Sequence, residues 1–194
     1  MNDKLNAVDG ATMSISSSSG LGEQAHAEGV YTFKCFEYED GPLVWEDTFH
    51  NVVATVGKNL MLQTALTGSA YNVTGPYMGL ISSVSYTTGP NAGDTMAAHG
   101  GWTEAGSTNA PTFASRGTPA FGTATAGAIS LSTATSFTMT GAGTLKGAFI
   151  VYGTGAVTTL MSTAGTLLSA GVFTGGDQPV SSGNVVQVSY SLSL

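Results

Sequence analysis

From Tyr77 to Leu194 the chain is a series of short apolar or alternating runs, closed by glycine, serine and threonine. Only one stretch of helical spacing precedes them. That ratio limits the fold more than any other feature. A parallel α/β fold needs a helix between successive strands, and this sequence has one to offer. The runs are Tyr77–Val84, Ala126–Leu131, Ser136–Thr140, Leu145–Tyr152, Leu167–Val172 and Val185–Leu194. The last is the clearest. Val186, Val188, Tyr190 and Leu192 fall on one face, and Val185, Gln187, Ser189 and Ser191 on the other. Ser132-Thr133-Ala134, Gly141-Ala142-Gly143 and Gly175-Gly176-Asp177 supply turns. With two strands nearer the N-terminus, about eight strands and one helix predict an all-β, antiparallel β-sandwich of jelly-roll-like form.

The two earlier strands read as a hairpin. Val30–Tyr38 places Tyr31, Phe33 and Cys35 on one face. Glu39-Asp40-Gly41-Pro42 has turn chemistry. Leu43–Val53 then puts Leu43, Trp45 and Phe49 opposite Glu46, Thr48 and His50. The helix is expected over Val56–Leu66, with Thr55 as N-cap and Gly68 as its stop. Leu60, Met61, Thr64 and Ala65 form its stripe, and it is expected to cover one end of a sheet.

Two segments stand outside this pattern. Residues 1–29, with Ser16–Ser19, Gly20, Gly22 and Gly29, read as a flexible N-terminal arm. Residues 30–194 read as the β-sandwich domain. Within it, residues 85–125 form a long loop with little strand pattern beyond Trp102 and Phe113. Loops of that length are commonly functional or ordered by partners.

Charge excludes whole classes of partner. Charged residues make up 9% of the chain, against roughly 25% in an average soluble protein. Residues 1–50 hold nine acids against Lys4 and Lys34, a balance of −7, and residues 51–194 balance to zero. One arginine and four lysines cannot neutralise a phosphate backbone, so no nucleic-acid partner is expected. An acidic surface suits a basic protein partner instead, and Glu37, Glu39, Asp40, Glu46 and Asp47 are the candidate contact residues. No apolar run approaches 18 residues, so no membrane span is expected. The N-terminus lacks the apolar core of a signal peptide, which points to folding in a cytoplasm.

Tests for chemistry fail one after another. Cys35 has no second cysteine to pair with and reads as a buried small hydrophobe. His26, His50 and His99 lack metal-ligand spacing. Gly-x-Ser-x-Gly and the P-loop lysine are missing. Tyr71, Tyr77 and Tyr86 read as sandwich core and rim before they read as a sugar-binding face. No cofactor, metal or catalytic residue is assigned. One stretch keeps the question open. Ala92–Ala105 gathers Asp94, His99, Trp102 and Glu104 in an almost uncharged chain. Beyond the acidic N-terminal quarter, Asp94 and Glu104 are the only acids close in sequence that could serve as a hydrolytic pair. The alternative is structural. Trp102 anchors the loop, Asp94 organises its turn, and Thr95–Ala98 forms a short helical turn. Burying an indole of 150–250 Å² is worth roughly 4–6 kcal/mol of transfer energy, so this structural reading is preferred.

A set of motifs suggests a family. They are Gly57–Leu66, Tyr77–Ile81, Ala92–Glu104, Gly141–Phe149, Leu168–Phe173 and a terminal strand, Val185–Leu194. In this order they resemble small virion structural proteins of tailed bacteriophages, described as capsid-associated or tail-fibre proteins. The resemblance spans residues 43–194 and carries no catalytic residues with it. It implies a virion component, and with the nearly uncharged composition and the N-terminal arm the leading expectation is a non-enzymatic capsid decoration (cement) protein on the outer surface of the head, assembled in the host cytoplasm. The expected partners are the major capsid protein and further copies of itself, as a dimer or trimer. The alternative is a tail-fibre or head-fibre module whose loop at 85–125 meets host glycans.

Overall fold

The computed structural model describes residues 27–67 and 74–194. The arm expected over residues 1–29 therefore lies outside the described residues up to position 26. Gly68 and Tyr71 lie outside them as well. The elements are β1 (Glu28–Phe36), β2 (Leu43–Val53), α1 (Thr55–Leu66), β3 (Tyr77–Ser82) and β4 (Thr103–Glu104). They continue with β5 (Ala128–Ser130), β6 (Thr135–Thr138), β7 (Gly143–Tyr152), β8 (Thr166–Val172), β9 (Gln178–Val180) and β10 (Val185–Ser193). The first strand opens at Glu28, two residues before the boundary expected at Val30.

Every strand pairing is antiparallel, in the order β4-β3-β7-β8-β2-β1-β10-β5, with β6 also on β10 and β9 also on β7. β2 joins the two layers. Its residues from Leu43 to Asn51 pair with β1, and Val52 and Val53 then pair with Ala170 and Ser169 of β8. One layer is thus β2-β1-β10 with β5 and β6, and the other is β4-β3-β7-β8. The antiparallel sandwich is as expected; the strand order does not establish a jelly-roll winding.

Between the layers lies the main core. Tyr31, Phe33, Cys35, Phe49, Val186, Val188 and Tyr190 meet Met78, Leu80, Ala148 and Ile150 there, all essentially unexposed. The alternation in β1 and β10 dictates which residues enter it. The β3-β7-β8 layer departs from alternation because both of its faces are covered. Ile81, Phe149, Val151, Leu167 and Ala170 point outward into a second cluster, closed by Met96, Trp102 and Ala156. Strands buried on two faces read as continuous apolar runs, as Phe149-Ile150-Val151 does.

The helix starts one residue earlier than expected. Its N-cap is Ala54, which makes no side-chain cap bond, and Thr55 is the first helical residue. Only Gly57 and Leu60 are buried, while Thr64 and Ala65 of the expected stripe are exposed. The cause is a close approach at the first turn. A Cβ on Gly57 would lie 2.8 Å from the Leu167 carbonyl and from the Leu168 backbone of β8. Tyr152 also donates its hydroxyl to the Gly57 carbonyl at 2.9 Å. The helix is pinned by its first two turns, and its second half overhangs the sheet.

Core hydroxyls and the thiol make stability sensitive to alkali. The Tyr31 hydroxyl bonds Ser169 at 2.7 Å, and Asn51 donates to the Tyr190 hydroxyl at 3.3 Å. Burial raises Tyr31 well above its ordinary value, with Tyr190 beside it adding to the effect; burial also raises Tyr190, and pushes Cys35 up to about 11. All three favour the neutral form when folded, while the unfolded chain ionises at ordinary values of about 8.5 for Cys and 10 for Tyr. This contribution is complete below those values and is lost as pH climbs through them towards the folded ones. The thermal midpoint should therefore hold to about pH 8.5 and fall steadily above it. A midpoint flat to pH 11 would contradict the burial of these groups.

Candidate functional site

Two places gather the polar chemistry of the described residues: the tip of the β1–β2 hairpin and the stretch from Asn91 to Arg116.

The hairpin tip is built by the turn between Phe36 and Leu43. The Glu37 amide donates to the Pro42 carbonyl and the Gly41 amide to the Tyr38 carbonyl, each at 3.0 Å. Asp40 sits at φ 57°, a left-handed position that aspartate tolerates better than most residues. Asn184 ties the tip to β10 by donating to the Glu37 carbonyl at 3.1 Å. Glu37, Glu39, Asp40 and Glu46 are exposed. Three apolar side chains of the same stretch are also exposed, Tyr38 at 57%, Leu43 at 49% and Val44 at 55%. The five acids do not act as one run. Glu46 faces Lys34 across the ladder, with a 3.8 Å ion pair between them. Asp47 is half-buried on the opposite face of β2, as alternation requires.

The second place is internal. Trp102 is 2% exposed and donates its indole N–H to Asp94 Oδ2 at 2.9 Å. The Asn91 amide donates to the same oxygen at 3.0 Å, so Asp94 both closes the turn and orients the indole. His99 stacks on Trp102 with ring centroids 3.9 Å apart, and its Nδ1 lies 3.1 Å from the Trp102 carbonyl. Thr95–Ala98 is a tight bend closed by reciprocal backbone bonds of 2.9 and 3.2 Å, not the helical turn expected.

Glu104 has a different partner from the one its neighbours in sequence suggest. Arg116 binds it in a fork, Nε to Oε1 and Nη2 to Oε2, both at 2.8 Å. Glu104 is 4% exposed and Arg116 1%. The same guanidinium donates to the carbonyls of Val157 and Ser162, at 3.2 and 2.7 Å, and the Met161 amide donates to Glu104 Oε2 at 2.7 Å. Two distant segments, around residues 104–116 and 157–162, are thereby locked together. No hydrogen bond joins Asp94 to Glu104 among the described residues, and each carboxylate is occupied by its own donors. A cavity of about 200 Å³ lies against Met96, His99, Trp102, Glu104, Phe149 and Met161. Its walls are mostly apolar, and the lone pairs of Glu104 already accept three N–H bonds.

The long loop expected over 85–125 is largely self-ordered. It contains β4, a bridge from Gly117 to Met78, and buried Met96, Trp102, Phe113 and Arg116. Sequence reasoning missed Arg116 as an organising residue. The available signal was that it is the sole arginine of the chain.

No three His, Cys, Asp or Glu side chains group to hold a metal ion among the described residues, and no described helix is long and apolar enough to cross a membrane. No family model, curated protein or solved structure matches the chain. The fold therefore defines the class, an antiparallel all-β sandwich with one short helix, and the argument for function rests on the two sites themselves.

Proposed function

We propose that this is a capsid decoration (cement) protein of a tailed phage, which binds outside the head and bridges neighbouring major capsid subunits without catalysis. The observation that carries the proposal is the hairpin tip. Tyr38, Leu43 and Val44 are exposed there, in the same stretch of chain as the exposed acids Glu37, Glu39, Asp40 and Glu46. Exposed apolar side chains among charged ones suit a protein-binding surface, and the acidic sign calls for a basic partner. The residue order of the family it resembles points the same way. Many copies on a symmetric shell add weak contacts into stable attachment, and self-association as a dimer or trimer at a symmetry axis fits that use. The polar groups of the Asn91–Arg116 stretch are spent on holding the sandwich together. The fibre alternative would use residues 85–125, where Trp102 is buried under His99, Phe113 is buried and Tyr86 and Phe121 are half-buried. The hairpin is the better-supported surface.

The test is sedimentation with purified phage heads lacking the protein. The triple variant Glu37→Lys, Glu39→Lys, Asp40→Lys should bind at least about tenfold more weakly at low salt, with the gap narrowing as ionic strength rises. Tyr38→Ala should weaken binding at every salt concentration, because its contribution is apolar. Unchanged binding by both variants would remove the hairpin from the interface. Binding to host polysaccharide but not to heads would favour the fibre reading.

A further inference from the structure

We propose that the apolar groove on the overhanging half of α1 seats the chain's own N-terminal segment, in particular Ala11–Ile15. The groove holds about 360 Å³ and is lined by Ala27, Lys58, Met61, Leu62, Ala65 and Leu194. Leu62 is 58% exposed and the adjacent Leu66 77%, so no described residue covers this helix face. Apolar side chains of this size at a contiguous site mark a contact surface.

Three observations name the occupant. Ala27 is itself part of the groove wall, so the 26 residues before it start from the site. Within them, Ala11, Met13 and Ile15 alternate with Thr12 and Ser14, giving an extended segment one apolar face. Ser16–Ser19, Gly20 and Gly22 then supply a reversible path between Ile15 and Ala27. The distance is ample. Twelve residue steps reach at most about 40 Å, and a 12-residue helix is about 18 Å long. Charge agrees as well: Asp3, Asp9 and Glu23 outnumber Lys4 before Ala27, and the one charged residue in the groove wall is Lys58. Attachment in the same chain is favoured over exchange with a second copy, because a short tether rich in serine and glycine holds the segment at an effective concentration in the millimolar range. This inference stands apart from what the hairpin tip binds.

The experiment is disulfide trapping in the full chain at low micromolar concentration. Leu62→Cys is combined in turn with Ala11→Cys, Met13→Cys and Ile15→Cys, so that register is sampled. Cys35 is buried with its thiol raised to about 11, so it stays out of the exchange. Each partner is also paired with Ser182→Cys, which is exposed at the far, Glu37 end of β1. At least one Leu62 pair should close within the chain at least about tenfold faster than its Ser182 control. In the wild type, deleting residues 1–15 should speed amide exchange over Met61–Leu66 by at least about tenfold. Equal rates for the Leu62 and Ser182 pairs, or exchange unmoved by the deletion, would overturn the proposal. A disulfide found only between two chains would overturn it in favour of exchange between copies.

Discussion

Arg116→Met will destabilise the domain by about 3–5 kcal/mol, the cost of stranding a buried carboxylate. Glu104 would lose both fork bonds and keep only the Met161 amide. The carbonyls of Val157 and Ser162 would lose their donor in the same step, and buried acceptors without partners cost more than the bonds they replace are worth. Glu104→Leu alone should be comparably harmful, because it leaves the guanidinium charge buried. The double variant Glu104→Leu, Arg116→Met should be much milder than the sum of the singles. A well-packed apolar pair often replaces a buried ion pair at little cost. Urea denaturation of all four proteins gives the coupling energy directly. Additive single effects, or a cost below about 1 kcal/mol for Arg116→Met, would show that the fork is not what joins the two segments.

Strands were legible in two ways: β3, β7 and β8 as continuous apolar runs buried on both faces, and β1 and β10 by alternation, because one face meets the core. In β1 and β10 the alternation placed Tyr31, Phe33, Val186, Val188 and Tyr190 correctly, because a one-residue slip would expose the whole set. β4 and β9 could not be read, since two or three residues carry no period. The helix stripe was misassigned for a related reason. Burial there follows the approach of Gly57 to β8, which depends on a strand about 110 residues later in the chain and not on helical spacing. The Asp94 turn and the burial of Trp102 were legible because both depend on residues close in sequence. The fork was not legible. It depends on the fold bringing Arg116 to Glu104 and bringing the 157–162 segment over both. The acidic run was read as one surface, but strand geometry sends Glu46 and Asp47 to opposite faces.

Trp102→Ala should cost a further about 3–5 kcal/mol, the range for removing a large buried aromatic side chain. The indole fills the second cluster, with Phe149 at 5.4 Å on one side and His99 at 3.9 Å on the other. Its loss would leave Asp94 with the Asn91 amide as its remaining donor. Trp102→Phe separates the two contributions. It keeps much of the ring burial and removes the N–H, so its cost should fall to about 1–3 kcal/mol, that of a charge-assisted bond. Asp94→Asn, which keeps the shape and removes the charge, should then add little to Trp102→Phe but cost stability alone, since the two residues share one interaction. Intrinsic fluorescence reports the site cleanly in a Trp45→Phe background, where Trp102 is the only tryptophan left. Its emission should be that of a buried indole and shift to longer wavelength only with global unfolding. The same proteins distinguish an anchor from a contact surface. An anchor loses stability first and binding only in proportion to the unfolded fraction. If Trp102→Ala keeps its denaturation midpoint yet no longer attaches to phage heads, the anchor assignment fails and the Asn91–Arg116 stretch becomes part of the interface.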